Sequence, residues 1–165
     1  MTEISKPTQI RPGLWNTVND RYPGSMITKH DYVPLAKLKK TLSESKLTFV
    51  STAGVQPSGT VPFDTVHPIG DYTYRKVPSH LKPEDLEIHQ LKYPTVGANE
   101  DLNVIFPIER LQELAEEGVI GSLSDHFFSF IGYNMDPDKL EETLAEDIAE
   151  AVVKDQADIA LLSPA

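Results

Sequence analysis

The stretch from Leu140 to the C-terminus constrains the fold more than any other part of the chain. Leu140, Leu144, Ile148 and Val152 recur every four residues, which puts them on one face of a helix. Behind them, Ile159-Ala160-Leu161-Leu162 forms a short apolar run with the look of a buried strand. A helix leading into an apolar strand is how a parallel α/β unit is built, and in open α/β sheets the chemistry sits just past the carboxyl ends of the strands. Ser163-Pro164-Ala165 therefore stand where a functional loop is expected to begin. Either the C-terminus caps the sheet, or a segment that belongs after it is missing. A parallel sheet needs cover on both faces, so the expectation is a sheet incomplete at its C-terminus.

Composition narrows the function classes. The 165 residues are enough for one domain with a real core. With 39% hydrophobic and 24% charged residues, the chain reads as an ordinary folded protein. A net charge of −10 argues against nucleic acid and against an anionic membrane as partners. No apolar run approaches a membrane span, and Met1 to Lys6 lack a signal-peptide core, so a cytoplasmic location is expected. The absence of cysteine removes disulfides, thiolate zinc sites and a cysteine nucleophile from these residues.

Two regions follow from the distribution of proline. Residues 1–45 carry Pro7, Pro12, Pro23 and Pro34, with Trp15, Tyr22 and Tyr32 spread among them, and read as a wrapping arm. Within it, Pro34 to Ser43 is expected to form one short helix. Residues 46–165 alternate strand and helix patterns, which predicts an α/β fold. The expected form is an open, Rossmann-like three-layer arrangement around a mostly parallel sheet. Predicted strands cover Lys46 to Ala53, Asp71 to Val77, Asn103 to Phe106, His126 to Ile131 and Ile159 to Leu162, with a further strand from Glu87 to Tyr93. Predicted helices start at Pro83 (capped by Ser79), at Pro107 and at Asp136-Pro137.

Residues with chemical potential are scattered. Gly54 ends the first strand after small residues, a common way to bring backbone groups to a ligand and equally a plain strand-to-loop turn. Asp71 and Arg75 share a strand face and read first as an ion pair, while an Arg at a loop mouth also suits a substrate carboxylate. Asp101 and Asn103 form a polar knot whose simplest reading is an Asx turn. The five histidines, His89 and His126 among them, show no metal-ligand spacing, so no metal is expected.

The motifs taken in series are far more specific. Gly70-Asp71-Tyr72-Thr73-Tyr74-Arg75-Lys76-Val77-Pro78, His89-Gln90-Leu91-Lys92-Tyr93 and the run from Asp101 to Leu111 resemble the selenoprotein B family of glycine, sarcosine, betaine and D-proline reductases. Gly118-Val119-Ile120-Gly121 and the run from His126 to Gly132 continue the match in order, so the resemblance covers roughly residues 46–165. It implies a subunit of an enzyme that reductively cleaves a C–N bond in a small amino-acid-type substrate with dithiol electrons. In that family a selenocysteine, or a cysteine, follows the strand matching Asp158 to Leu162. The expectation is therefore no cofactor within these residues and a selenocysteine or cysteine immediately after Ala165. The fragment alone would then be inactive. The implied partners are other reductase subunits or a thiol electron donor, in an oligomer. On residue type, His89 or His126 would handle a proton and Arg75 would hold the substrate carboxylate, with Gly54, Asp71, Asp101 and Asn103 as further substrate-binding candidates. The alternative is a non-catalytic small-molecule-binding or assembly subunit.

Overall fold

The computed structural model describes residues 36–91 and 93–165. Most of the predicted proline-rich arm, with Trp15, Tyr22 and Tyr32, lies outside the described residues. A mixed α/β fold is observed, built on a mostly parallel sheet with few helices.

The sheet is organised around β1 (Lys46–Ser51), whose burial is nearly complete along its length. One of its edges pairs in parallel with β7 (Ile159–Ser163), from Leu47 opposite Ile159 to Ser51 opposite Ser163. The other pairs in parallel with β5 (Ser122–Leu123) and then β6 (His126–Phe130). The register slips by two residues between these pieces, so β5 and β6 are one strand interrupted at Ser124-Asp125. Thr48 fills the interruption, its hydroxyl donating to the His126 carbonyl at 3.0 Å. Beyond β6 lies β3 (Tyr74–Pro78), antiparallel. A separate ribbon pairs β2 (Val55–Pro57) with β4 (Leu86–Ile88), also antiparallel.

Alternation along β1 and β6 sends neighbouring side chains to opposite faces. Phe49 and Phe127 face one side with Val77, packed against Phe106 and against Ile108 and Leu111 of a helix spanning Ile108–Glu116. Phe49, Phe106 and Phe127 form a three-ring cluster with centroids 5.2–6.2 Å apart at steep angles. Each such pair contributes roughly 1 kcal/mol beyond its buried area. Val50 and Phe128 face the other side, under a helix from Pro137 to Lys154. That helix runs through Pro137–Lys139, a wider π-type stretch at Leu140–Ala145, and Glu146–Lys154. Its stripe of Leu140, Leu144, Ile148 and Val152 meets the sheet as the four-residue spacing requires. We number the helices α1 (Val96–Glu100), α2 (Ile108–Glu116) and α3 (residues 137–154).

Several sequence expectations need correction. Val104 is no strand: Leu102–Val104 is a 3-10 turn, because the Asp101 carboxylate accepts the Asn103 N–H and competes with extended backbone. The strand expected from Asp71 begins only at Tyr74, since Asp71 folds back on Thr73. The strand expected from Glu87 to Tyr93 is confined to Leu86–Ile88. Residues 36–41 form no helix, and only Leu42–Glu44 makes a 3-10 turn, closed by Thr41 and Glu44. Ser79 is not a cap: its hydroxyl donates to the Ser124 carbonyl. Finally, β7 is a strand but is not buried. Leu162 is 70% exposed, because β7 is an edge strand among the described residues.

Candidate functional site

Beyond the carboxyl ends of β1, β6 and β7 the chain forms a crevice of about 400 Å3, lined by Thr52, Gln90, Tyr93, Gly132, Tyr133, Pro164 and Ala165. Its position is the one that parallel strands favour, where successive chains diverge and leave a gap. After Ser51 the backbone turns across the end of β6. Ala53 bridges Ile131, and the Gly54 N–H donates to the Phe130 carbonyl at 3.0 Å. The Val55 N–H is then taken by the Ser129 hydroxyl at 2.8 Å.

Gly54 has φ +66°, the left-handed region where a side chain is strained. A Cβ there would also stand 2.5 Å from the His89 carbonyl oxygen. The His89 N–H in turn donates to the Gly54 carbonyl at 2.8 Å, so these two candidates are neighbours. The His89 ring meets the Glu87 carboxylate at 3.0 Å, and the same carboxylate oxygen accepts from the Gln56 amide at 3.1 Å. Tyr93 closes the crevice, its hydroxyl donating to the Ala53 carbonyl at 2.8 Å. Burial pushes the Tyr93 phenol up to about 12, so it stays protonated and remains a donor.

Ser163 lies level with Ser51, and Ala165 lies just beyond, where its N–H donates to Thr52 Oγ1 at 2.8 Å. Among the described residues, no acidic or basic side chain lines the crevice. A polar substrate there meets hydroxyls, amides and backbone rather than a fixed charge.

The other candidates stand elsewhere. His126 opens β6, level with Thr48 and Ala160, at the amino ends of the parallel strands. His126 thus stands at the opposite end of the strands from Thr52 and Ala165. Its Nδ1 instead meets the Asp155 carboxylate at 2.9 Å. Arg75 lies level with Ser129 in β3, but its guanidinium donates to the Val61 carbonyl and the Thr73 hydroxyl and covers the Phe63 ring at 4.1 Å. Asp71 accepts from the Thr73 hydroxyl and N–H and from the Asp64 N–H. The expected Asp71–Arg75 ion pair is thus replaced by a bridge through Thr73. Asp101 and Asn103 build the Asx turn and continue into α2, where Asn103 Oδ1 accepts the Glu109 N–H. The Asn103 side-chain amide and then its backbone N–H, both donating to Asp101 Oδ1, hold the Asp101 carboxyl below its ordinary range. Among the described residues, no group of three or more His, Asp or Glu is placed to hold a metal ion.

Thr52, Gln90, Tyr93, Gly132 and Tyr133 were not singled out from the sequence. The rule that ligands meet the carboxyl ends of parallel strands points to Thr52 and Gly132, the residues just after β1 and just after the β6 bridge. Gln90 and Tyr93 belong to the motif His89 to Tyr93, but nothing in their spacing marks the direction of their side chains.

Comparison with known proteins adds the family context. Residues 20–164 match the family model described as glycine/sarcosine/betaine reductase selenoprotein B. The chain is 28% identical over 138 residues to the D-proline reductase subunit gamma of Acetoanaerobium sticklandii, covering 80% of this chain and 56% of that protein. It is 27% identical over 136 residues to the glycine reductase complex component B subunit gamma of Peptoclostridium acidaminophilum, covering 81% of this chain and 31% of the relative. For the protein of the same name in Symbiobacterium thermophilum the identity is 29% over 139 residues, with coverage of 81% and 31%. The chain thus spans from about a third to just over half the length of these curated relatives. No solved structure gives a significant match.

Proposed function

This chain belongs to the glycine/sarcosine/betaine reductase selenoprotein B family, and from that premise we propose that the whole protein is a subunit of a dithiol-dependent reductase. The reaction breaks a C–N bond in a small amino acid or derivative of the glycine, sarcosine, betaine or D-proline type. Two electrons from a dithiol replace the C–N bond by C–H, the nitrogen leaves with an electron pair and takes up a second proton unless it departs as a tertiary amine, as from betaine, and the dithiol becomes a disulfide. The observation that carries this reading is the crevice past β1, β6 and β7, onto which the backbone leaving β7 is bonded through Thr52.

In this reading a selenocysteine or cysteine follows the β7 strand in the whole protein and stands over the crevice. A selenol there is ionised at neutral pH, and a thiol becomes the nucleophile once deprotonated. The residues in hand supply its surroundings. Tyr93 and Thr52 line the crevice, Tyr93 tied to the Ala53 carbonyl and Thr52 to Ala165, and among the described residues no charged side chain lines it. The contact between Gly54 and His89 supports His89 over His126 as the group that handles a proton. The commitment of Arg75 to Val61 and Thr73 supports a role in holding the neighbouring loop rather than the substrate carboxylate. The open Rossmann-like sheet would be completed by further strands and helices beside β7, where Leu162 is exposed. Partner subunits of a reductase complex in the cytoplasm complete the picture.

A second reading, a non-catalytic binding or assembly subunit, draws on the absence of cysteine. One experiment separates the two. The native protein is isolated from cells grown with selenium, its intact mass is read, and its complex is assayed for dithiol-dependent amine release or proline ring opening. The enzyme reading predicts a species heavier than 18.4 kDa that carries selenium or a thiol and turns over one of these substrates. A species of 18.4 kDa with no turnover in the reconstituted complex contradicts it.

A further inference from the structure

We propose that Thr52 is a positioning residue: its hydroxyl clamps the backbone leaving β7 and fixes where that backbone stands over the crevice. The consequence for turnover rests on the reductase reading above, while the clamp itself does not. Ala165 donates its N–H to Thr52 Oγ1 at 2.8 Å, and the hydroxyl faces the Ala165 carbonyl oxygen at 3.5 Å. Pro164 has no N–H, so Ala165 provides the first backbone donor after Ser163. One side chain therefore meets the first donor available once the strand pairing to β1 has ended.

Thr52 is held in place from both sides. Ser51 before it is paired with Ser163 and Ser129, and Ala53 after it bridges Ile131 and accepts the Tyr93 hydroxyl. Its β-branched side chain has few rotamers, so the hydroxyl direction follows from the backbone.

Gly132 is the second half of the device. It is not among the glycines with positive φ, so its conformation does not call for glycine. Space does. A Cβ at Gly132 would lie 2.9 Å from Thr52 Cβ and 3.2 Å from Thr52 Oγ1. Glycine at this position lets Thr52 stand where it reaches Ala165, and the pair forms one constraint contributed by β1 and β6 and exerted on the chain after β7.

The test uses the whole protein in its complex, with Thr52→Val, Thr52→Ser and Gly132→Ala. Valine keeps the shape and removes the hydroxyl, and serine keeps the hydroxyl. Thr52→Val should lower kcat about ten- to a hundredfold, the scale expected of a misplaced reacting group, and leave KM for the amino-acid substrate within about twofold. Thr52→Ser should stay within about threefold of wild type. Gly132→Ala should behave as Thr52→Val, and combining the two should add little, because both undo one contact. Amide exchange at Ala165 reads the clamp without turnover: it should quicken by about fivefold in Thr52→Val and Gly132→Ala but not in Thr52→Ser. Unchanged Ala165 exchange in Thr52→Val overturns the clamp. Quickened exchange with wild-type kcat overturns its role in positioning. If the wild-type complex turns over none of the substrates, the reductase reading falls and Ala165 exchange alone decides the clamp. Should Thr52→Val fail to fold, Gly132→Ala carries both readouts.

Discussion

The two rims of the parallel sheet are made by the same strands and differ in how they use charge. At the amino rim the charged groups are paired. His126 meets Asp155, whose side chain is only 10% exposed, and Lys40 and the Lys46 N–H meet Asp158. Lys46 Nζ donates to the Asp155 carbonyl, which ties β1 to the turn before β7. At the carboxyl rim, among the described residues, no charged side chain lines the crevice, and the groups that do are hydroxyls, amides and backbone. A rim whose charges satisfy one another is a brace. A rim that presents polar groups around an unfilled volume is where a ligand can compete for them. The difference also shows why residue type alone misleads: the two histidines proposed from the sequence fall on different rims, and only His89 lies beside the crevice residues.

The largest effect expected from a single change is at the carboxyl rim. Gly54→Ala places a Cβ against the His89 carbonyl in a left-handed backbone and should cost about 3 kcal/mol of stability. Denaturant unfolding measures it, and a cost near zero would show that this rim is not tightly built. At the amino rim, Asp155→Ala leaves the His126 ring without its carboxylate and should cost about 1.5 kcal/mol, with the activity of the whole protein unchanged. A loss of turnover there, at matched stability, would break the contrast between brace and site.

Tyr93→Phe removes one half-buried hydrogen bond and should cost about 1 kcal/mol at neutral pH. It also carries a pH signature. The folded phenol titrates near 12, above its unfolded value of about 10. Its contribution is thus fully present below about pH 10 and is lost as pH rises towards 12. Tyr93→Phe should flatten that alkaline fall, and an identical fall in both proteins would contradict the buried-phenol assignment. The smallest effect is at Lys40. The Asp158 carboxyl is held below its ordinary range, first by Lys40 and then by the Lys46 N–H. Its contribution is present above the ordinary carboxylate range and is lost as pH falls through the lowered folded value. Lys40→Ala should therefore soften the acid limb of the stability profile and leave the neutral thermal midpoint almost unmoved, since the pair is exposed.

What could be read from the sequence was what depends on local pattern. The stripe from Leu140 to Val152, the helix beginning after Pro107 and the apolar run at Ile159 all encode their own periodicity, and each formed the expected element. The Asx turn at Asp101 and Asn103 was legible for the same reason, yet the apolar residues after it suggested a strand. The side-chain hydrogen bonds won, and Val104 is left 65% exposed. The site was less legible because it is assembled across long separations: Thr52 meets Ala165, and Gly54 meets His89. Register decides such meetings, and the two-residue slip between β5 and β6 that sets the level of His126 has no local signature.

In the reductase reading, the residue following the β7 strand in the whole protein stands over the carboxyl-rim crevice. The 165 residues contain no cysteine, so a thiol introduced among them is told apart by mass mapping from any in the rest of the whole protein. Tyr133→Cys lines the crevice, and Asp125→Cys lies at the amino rim beside His126. After mild oxidation of the whole protein, mass mapping should find the crevice thiol joined to a selenocysteine or cysteine directly after β7, as bridging requires Cα atoms within about 7 Å. The amino-rim thiol should remain free. A bridge from Asp125→Cys with none from Tyr133→Cys would contradict the account.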